Sequence, residues 1–303
     1  MRPQEQSHAI RNSDDPNAGH GRTPRMAGLR GKFPLAVVVC AAALILSGCS
    51  PDTAAYSEVR AHLDRDTGQV RYPLDDYALT GTDALVVERA NALLVQQCMA
   101  TSGLDFPRAA QDWDAKSQQP DRTFGLWSST IAARDGYDIP TELAKKNLED
   151  REAAQPESWW TKYWDCLDTT KQLPAMSLLV GNPNEPSPVD RGYSEALRET
   201  QSSGEFGDAR SEWVGCLENE GLTAEDGPVL IPVLPRSVEA RFKIALLDVG
   251  CKDKLGTMQR IADVMAQFQA AYIDAHDTDL TAFRTRAQDV LAQAREIVAT
   301  SGD

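Results

Sequence analysis

The chain has 303 residues with 45 acidic and 31 basic side chains, a formal net charge of −14. So acidic a surface repels nucleic acid and anionic lipid headgroups, and no nucleic-acid partner is expected. The length allows one domain, or two small ones, with a real hydrophobic core.

Arg22, Arg25, Arg30 and Lys32 precede Phe33 to Leu46, a run of 14 residues without a charge, and Leu46-Ser47-Gly48-Cys49 closes it. A basic start, a short apolar run and small residues at its end are the layout of a secretory signal peptide. The run is shorter than the ~20 apolar residues that a membrane-spanning helix needs. Its last four residues resemble the lipobox of bacterial lipoproteins. An aliphatic residue stands three before the cysteine, small side chains admit the signal peptidase, and the thiol can carry a diacylglycerol. The resemblance implies that residues 1–48 are removed and that Cys49 becomes an acylated, palmitate-bearing amino terminus on the extracytoplasmic face of the cell membrane. Each buried methylene adds ~0.8 kcal/mol, so two or three chains hold firmly where one is marginal. Cys40 follows the bulky Val39 and should leave with the signal. Met26 opens a more usual signal length, and residues 1–25 are set aside as a start-site artefact or extension.

The remaining 255 residues carry 25 basic and 42 acidic side chains, net −17, and four more cysteines: Cys98, Cys166, Cys216 and Cys251. An even number outside the cytoplasm reads as two disulfides. A metal site is not expected, because no C-x-x-C pair exists and only His62 and His276 remain.

From Ser50 to about Tyr77 the chain is polar and aperiodic and reads as a flexible tether over 49–80, reaching ~30 Å; helical residues over 54–63 are the alternative. Apolar positions at helical spacing predict a helix over 82–101, with Gly103 as its left-handed stop. Residues 104–140 read as a long loop with short helices. Further helices are predicted at 141–154 and 157–171, where Pro140 and Pro156 suit the starts. The Pro- and Asn-rich stretch 181–188 cannot be regular structure and marks a linker, 181–192, between an N-terminal module (81–180) and a C-terminal one (193–303). In the second module helices are predicted at 190–202 and 208–219, an extended apolar run at 229–234, and a helix capped by Ser237 and reaching Lys254. Met258, Ile261, Met265, Phe268 and Tyr272, then Leu280, Phe283, Ala287, Val290 and Ile297, form two apolar stripes joined at His276-Asp277-Thr278-Asp279. They predict an antiparallel helical hairpin. No segment alternates with period two. The fold class is all-α, a disulfide-bonded helical bundle.

Three cysteines stand five residues before a glycine: Cys98 with Gly103, Cys216 with Gly221, Cys251 with Gly256. In the first two the match extends to Cys98-Met99 with Gly103-Leu104 and Cys216-Leu217 with Gly221-Leu222, which suggests a duplicated unit. Four cysteines allow three connectivities, and the repeat favours Cys98 with Cys166 and Cys216 with Cys251. The segments Trp213-Val214-Gly215-Cys216-Leu217 and Ala245-Leu246-Leu247-Asp248-Val249-Gly250-Cys251-Lys252, followed by the hairpin, resemble a group of uncharacterised actinobacterial lipoproteins. Leu217 departs from the usual methionine, which Met99 keeps. The resemblance implies a place on the outer face of the plasma membrane and no activity.

The cluster Trp159-Trp160-Thr161-Lys162-Tyr163-Trp164 offers indole faces that could stack on sugar rings. Helical spacing instead reads Trp160, Tyr163, Trp164 and Leu167 as a buried face that leaves Trp159 outside. The acids of Asp112-Trp113-Asp114 and Glu149-Asp150-Arg151-Glu152 could pair for glycoside cleavage, but a solvated face is the simpler reading. Ser128 and Ser129 lack a nucleophile elbow, and no phosphate loop or His-Glu metal motif appears. The expectation is therefore an envelope binding protein without catalysis or cofactor. It would be held to the membrane through Cys49 and contact an envelope protein or cell-wall glycan through Trp159, Trp160 and Trp164. The alternative is a cell-wall glycan hydrolase using paired carboxylates.

Overall fold

A computed structural model describes residues 53–113, 119–138, 140–177 and 186–301. The signal segment and Cys49 lie outside these residues. The fold is all-α apart from one small hairpin. Its helices are α1 (Gly81–Ala100), α2 (Ser129–Asp135), α3 (Pro140–Ala153), α4 (Glu157–Thr169), α5 (Pro188–Ser202), α6 (Gly204–Asn219), α7 (Val238–Leu255) and α8 (Thr257–Thr300). No helix among the described residues is long and apolar enough to cross a membrane.

Helix α8 is the spine, packing most extensively against α5 and α1. Its apolar stripe is nearly that expected: Met258, Ile261, Met265 and Tyr272 before the break, Leu280, Phe283, Ala287 and Val290 after it, all buried. The expected turn at 276–279 is reduced to one residue, His276, whose φ of −129° and ψ of 20° interrupt the helix. Close approach of α5 to this spine depends on Gly192, where a Cβ would lie 2.5 Å from the Tyr272 ring.

The tether reading over 49–80 is overturned from Thr53 onward. Residues 62–64 (β1) pair antiparallel with 69–71 (β2), Leu63 opposite Val70. Ala61, Tyr72, Leu74 and Leu79 are buried in the main core. Three-residue strands are too short to show alternation, and these apolar side chains are spaced too irregularly to show a period. They gain their burial from distant partners: the Leu74 N–H donates to Gln269 Oε1 (3.0 Å) and the Ala61 N–H to Asp263 Oδ1 (3.0 Å), both on α8.

The linker boundary needs a correction as well. Residues 181–185 lie outside the described residues, but Pro188 to Gly192 are already α5. Ser187 Oγ accepts from the Asp190 N–H (3.0 Å) while an Asp190 carboxylate oxygen accepts from the Ser187 N–H (3.1 Å). This reciprocal cap starts the helix. The main core takes Val87 and Ala90 from α1 together with residues of α5, α6, α7 and α8, so the described parts of both expected modules share it. The apolar run at 229–234 is extended as expected, with Leu230 buried and Pro232 bridged to Ala224.

Both disulfides form with the favoured pairing. Cys98 joins Cys166 with Cα atoms 5.7 Å apart, and Cys216 joins Cys251 at 5.8 Å. Gly103, Gly221 and Gly256 all have φ between 62° and 73°. The matched pair goes further. The Leu104 N–H donates to Met99 O (3.2 Å) and the Gly103 N–H to Ala100 O (2.9 Å); the Leu222 N–H donates to Leu217 O (2.9 Å) and the Gly221 N–H to Glu218 O (3.0 Å). Two hydrogen bonds of this form around a left-handed glycine are the Schellman motif, here used twice.

Candidate functional site

Of the segment Ala245 to Lys252 that carries the lipoprotein resemblance, Ala245, Asp248, Val249, Cys251 and Lys252 are buried, whereas Leu246 and Leu247 are exposed. Asp248 and Lys252 stand one turn apart on α7, exposed by 0% and 2%. Lys252 Nζ has three protons and three acceptors: Asp248 Oδ2 (2.8 Å), Leu126 O (2.5 Å) and Leu230 O (2.7 Å). Asp248 Oδ1 accepts from Trp213 Nε1–H (2.7 Å), and Oδ2 also accepts from the Tyr137 hydroxyl (2.5 Å). Burial pushes the Lys252 ammonium below its ordinary value, opposed by the Asp248 carboxylate. Burial, reinforced by that carboxylate, raises the Tyr137 phenol. Every charge is matched and every proton used, so the cluster joins α6, α7 and the loops at 126, 137 and 230 rather than facing a substrate. Gly125 lets one loop close on another: its φ is +94° and a Cβ there would lie 2.3 Å from Leu230 O.

The aromatic stretch lies on α4, which is held to α1 by Cys98–Cys166. Trp159 is buried, 2% exposed, and its indole N–H donates to Asp105 O (2.8 Å). Trp164 is 56% exposed, with Trp160 and Tyr163 half-buried. This inverts the expected phase. Cys166 fixes the inward face, and Trp159 and Tyr163 share it at helical spacing while Trp164 points away. Trp160 and Trp164 stack with centroids 6.2 Å apart, and Tyr163 lies 5.0 Å from Trp164. Beneath them Phe106, Trp159 and Tyr163 stack at 5.3 to 6.4 Å. The result is an exposed ledge of indole on a stacked aromatic base. Of the three candidates, Trp160 and Trp164 reach the surface and Trp159 does not.

The acids singled out by sequence are mostly paired. Arg108 grips Glu152 through two hydrogen bonds (2.7 and 2.8 Å), and Lys145 and Lys146 lie against Glu149 and Asp150. Asp114 is outside the described residues. Ser128 is buried, caps α2 by accepting from the Ile131 N–H and donates to Arg65 O. His62 lines the cleft described next, and His276 marks the break in α8.

A cleft of about 540 Å³ lies between the β-hairpin, residues 73–76, the start of α1 and residues 119–121. Asp64, Asp75 and Asp121 line it, with His62, Arg71 and Thr80. Burial lifts the Asp75 carboxyl to about 6, the Tyr72 N–H that it accepts pulls it down, and Asp121 adds to the lift. Arg71 is engaged by Asp76 at 2.6 Å. Asp75 has Asp76 beside it along the chain and Asp121 stands apart from other acids, and no motif marks either as a site. They meet only through the fold. Among the described residues no group of three His, Cys, Asp or Glu side chains is placed to hold a metal.

Comparison of the chain with family models, with curated proteins and with solved structures finds no match.

Proposed function

We propose that this chain is a lipid-anchored, extracytoplasmic binding protein of the cell envelope, and that Trp160 and Trp164 form its contact with cell-wall glycan or an envelope protein. The observation that carries the reading is Trp164, a large indole left 56% exposed on a helix fixed by a disulfide. Indole faces are suited to stacking on flat apolar faces, including the C–H faces of sugar rings, and a rigid base lowers the entropy lost on contact. Supporting features are the Leu46-Ser47-Gly48-Cys49 pattern and an ion-paired surface. The test is retention of the purified domain on insoluble cell-wall glycan and recovery of partners by crosslinking on intact cells. Trp164→Ala should lower retention about tenfold at unchanged far-ultraviolet circular dichroism, as expected of a central aromatic contact. Equal retention of both proteins, with no crosslinked partner, would refute it.

A second reading, glycan hydrolysis, is favoured by one observation: Asp75, raised to about 6, shares a cleft with Asp121. Two carboxyls in one cleft, one of them lifted by burial, are the kind of pair such cleavage uses. Release of reducing ends from cell-wall glycan, abolished in Asp75→Asn and in Asp121→Asn, supports that reading; no release from the wild-type protein removes it.

A further inference from the structure

We infer that the exposed surface at the α8 break, residues 274–279, rests against the lipid headgroups of the membrane that carries the protein, with the tryptophan ledge held away from them. The inference rests on the acylation of Cys49 proposed above and adds an orientation to it. Cys49 and Thr53 are four residues apart, and a fully extended chain spans at most about 3.6 Å per residue, so the first described residue lies within about 14 Å of the acylated cysteine. From there residues 54–56 form a turn of 3-10 helix, and Ala61 and Leu74 belong to the core.

The same segment is tied to the spine beside its break. The Tyr56 hydroxyl donates to Asp274 Oδ2 (2.6 Å), two residues before the break. From there the chain runs back along α8, with the Ala61 N–H on Asp263 and the Gln259 amide on Ala61 O. The α5 start lies near the break too, since the Tyr272 hydroxyl donates to Pro188 O (3.0 Å). Asp274 to Asp279 are all exposed. Three aspartates among these six residues are repelled by an anionic headgroup layer and meet no such repulsion at a neutral one.

The ledge lies elsewhere. Beyond His276 the helix runs unbroken to Thr300, a length of about 35 Å at 1.5 Å per residue. Ser301, which follows, accepts from the Gln97 side-chain amide on α1 (3.0 Å), next to Cys98 and its partner Cys166 on α4. Trp164 is two residues from that cystine. The break in α8 is thus held near the lipid, while the C-terminal end of the helix is beside the aromatic contact.

The experiment uses the full chain, processed and purified in detergent and reconstituted into phosphatidylcholine nanodiscs containing a nitroxide-headgroup lipid. A nitrobenzoxadiazole label is placed at Asp277→Cys or, separately, at Thr161→Cys beside the ledge. The label at 277 should be quenched at least about fivefold more strongly than that at 161, given some 35 Å of helix between the break and Thr300. A 20-residue Gly-Ser spacer between Asp52 and Thr53, with an average reach of about 25 Å, should remove most of the quenching at 277. Equal quenching at the two positions, stronger quenching at 161, or no effect of the spacer overturns the orientation. Intact mass of the same samples reads the anchor separately. An unacylated Cys49 refutes the anchor and the orientation with it, whereas an acylated chain with position 277 unquenched refutes the orientation alone.

Discussion

The cystines Cys98–Cys166 and Cys216–Cys251 each start in the last turn of a helix that closes with the same two hydrogen bonds around a left-handed glycine, yet the interiors beside them differ in kind. Cys216–Cys251 borders the main core and the Asp248–Lys252 pair, a polar centre with every group satisfied. Cys98–Cys166 borders a separate small cluster, Ala92, Val95, Met99, Phe106 and Trp159, held by stacked rings. The lesson is that one local device, a cysteine one turn before a helix stop, fixes a helix end without fixing what the helix is for. The first use anchors a buried ionic centre, and the second supports an aromatic surface.

The largest expected effect tests the ionic side of that contrast. Asp248→Ala would leave the Lys252 ammonium buried without its counter-charge and should cost about 3 to 5 kcal/mol in urea denaturation, while Asp248→Leu with Lys252→Met should cost much less. If the single and double variants are equally unstable, the pair is not the organising centre. Next, replacing Cys98 and Cys166 by alanine should cost about 2 to 4 kcal/mol and lower glycan retention, whereas the same change at Cys216 and Cys251 should lower stability but spare retention by the folded fraction.

A smaller effect concerns the cleft. The folded-state pKa of Asp75 stands above its ordinary value, so the native chain holds the proton more tightly than the unfolded chain does. Stability should fall as pH rises from about 4 to 6 through this group and stay lowered above 6. Asp75→Asn should therefore be more stable than wild type by about 1 to 2 kcal/mol at pH 7 and nearly equal at pH 4. A gain that does not change with pH would separate it from the carboxyl. The smallest effect is on stability at Trp164. Truncation to alanine there should change unfolding free energy by less than about 0.5 kcal/mol, whereas Trp159→Ala should cost about 3 to 5 kcal/mol.

Most helices were legible because caps and periods are local. Pro140, Pro156 and Ser237 mark starts, and Gly103, Gly221 and Gly256 mark ends or the turn just beyond them. The hairpin of residues 62–71 was not, because Tyr72, Leu74 and Leu79 are apolar positions with no shared spacing. The phase of α4 was available: once Cys166 points inward, positions 163 and 159 must follow it. Asp248 and Lys252 were legible as a one-turn pair but not as buried, since charged residues on a helix are read as solvated until Trp213 and Tyr137 are seen to cover them. The cleft acids carried no signal, because Asp75 and Asp121 are neighbours only across the fold.

Lys252 reaches the backbone of two irregular segments at once, Leu126 and Leu230. Neither carbonyl can find this ammonium until the last turns of α7 exist and Asp248 holds it in place. Amide hydrogens of the loops around 126 and 230 should therefore resist exchange with solvent deuterium as one block with α7, despite belonging to no helix or strand.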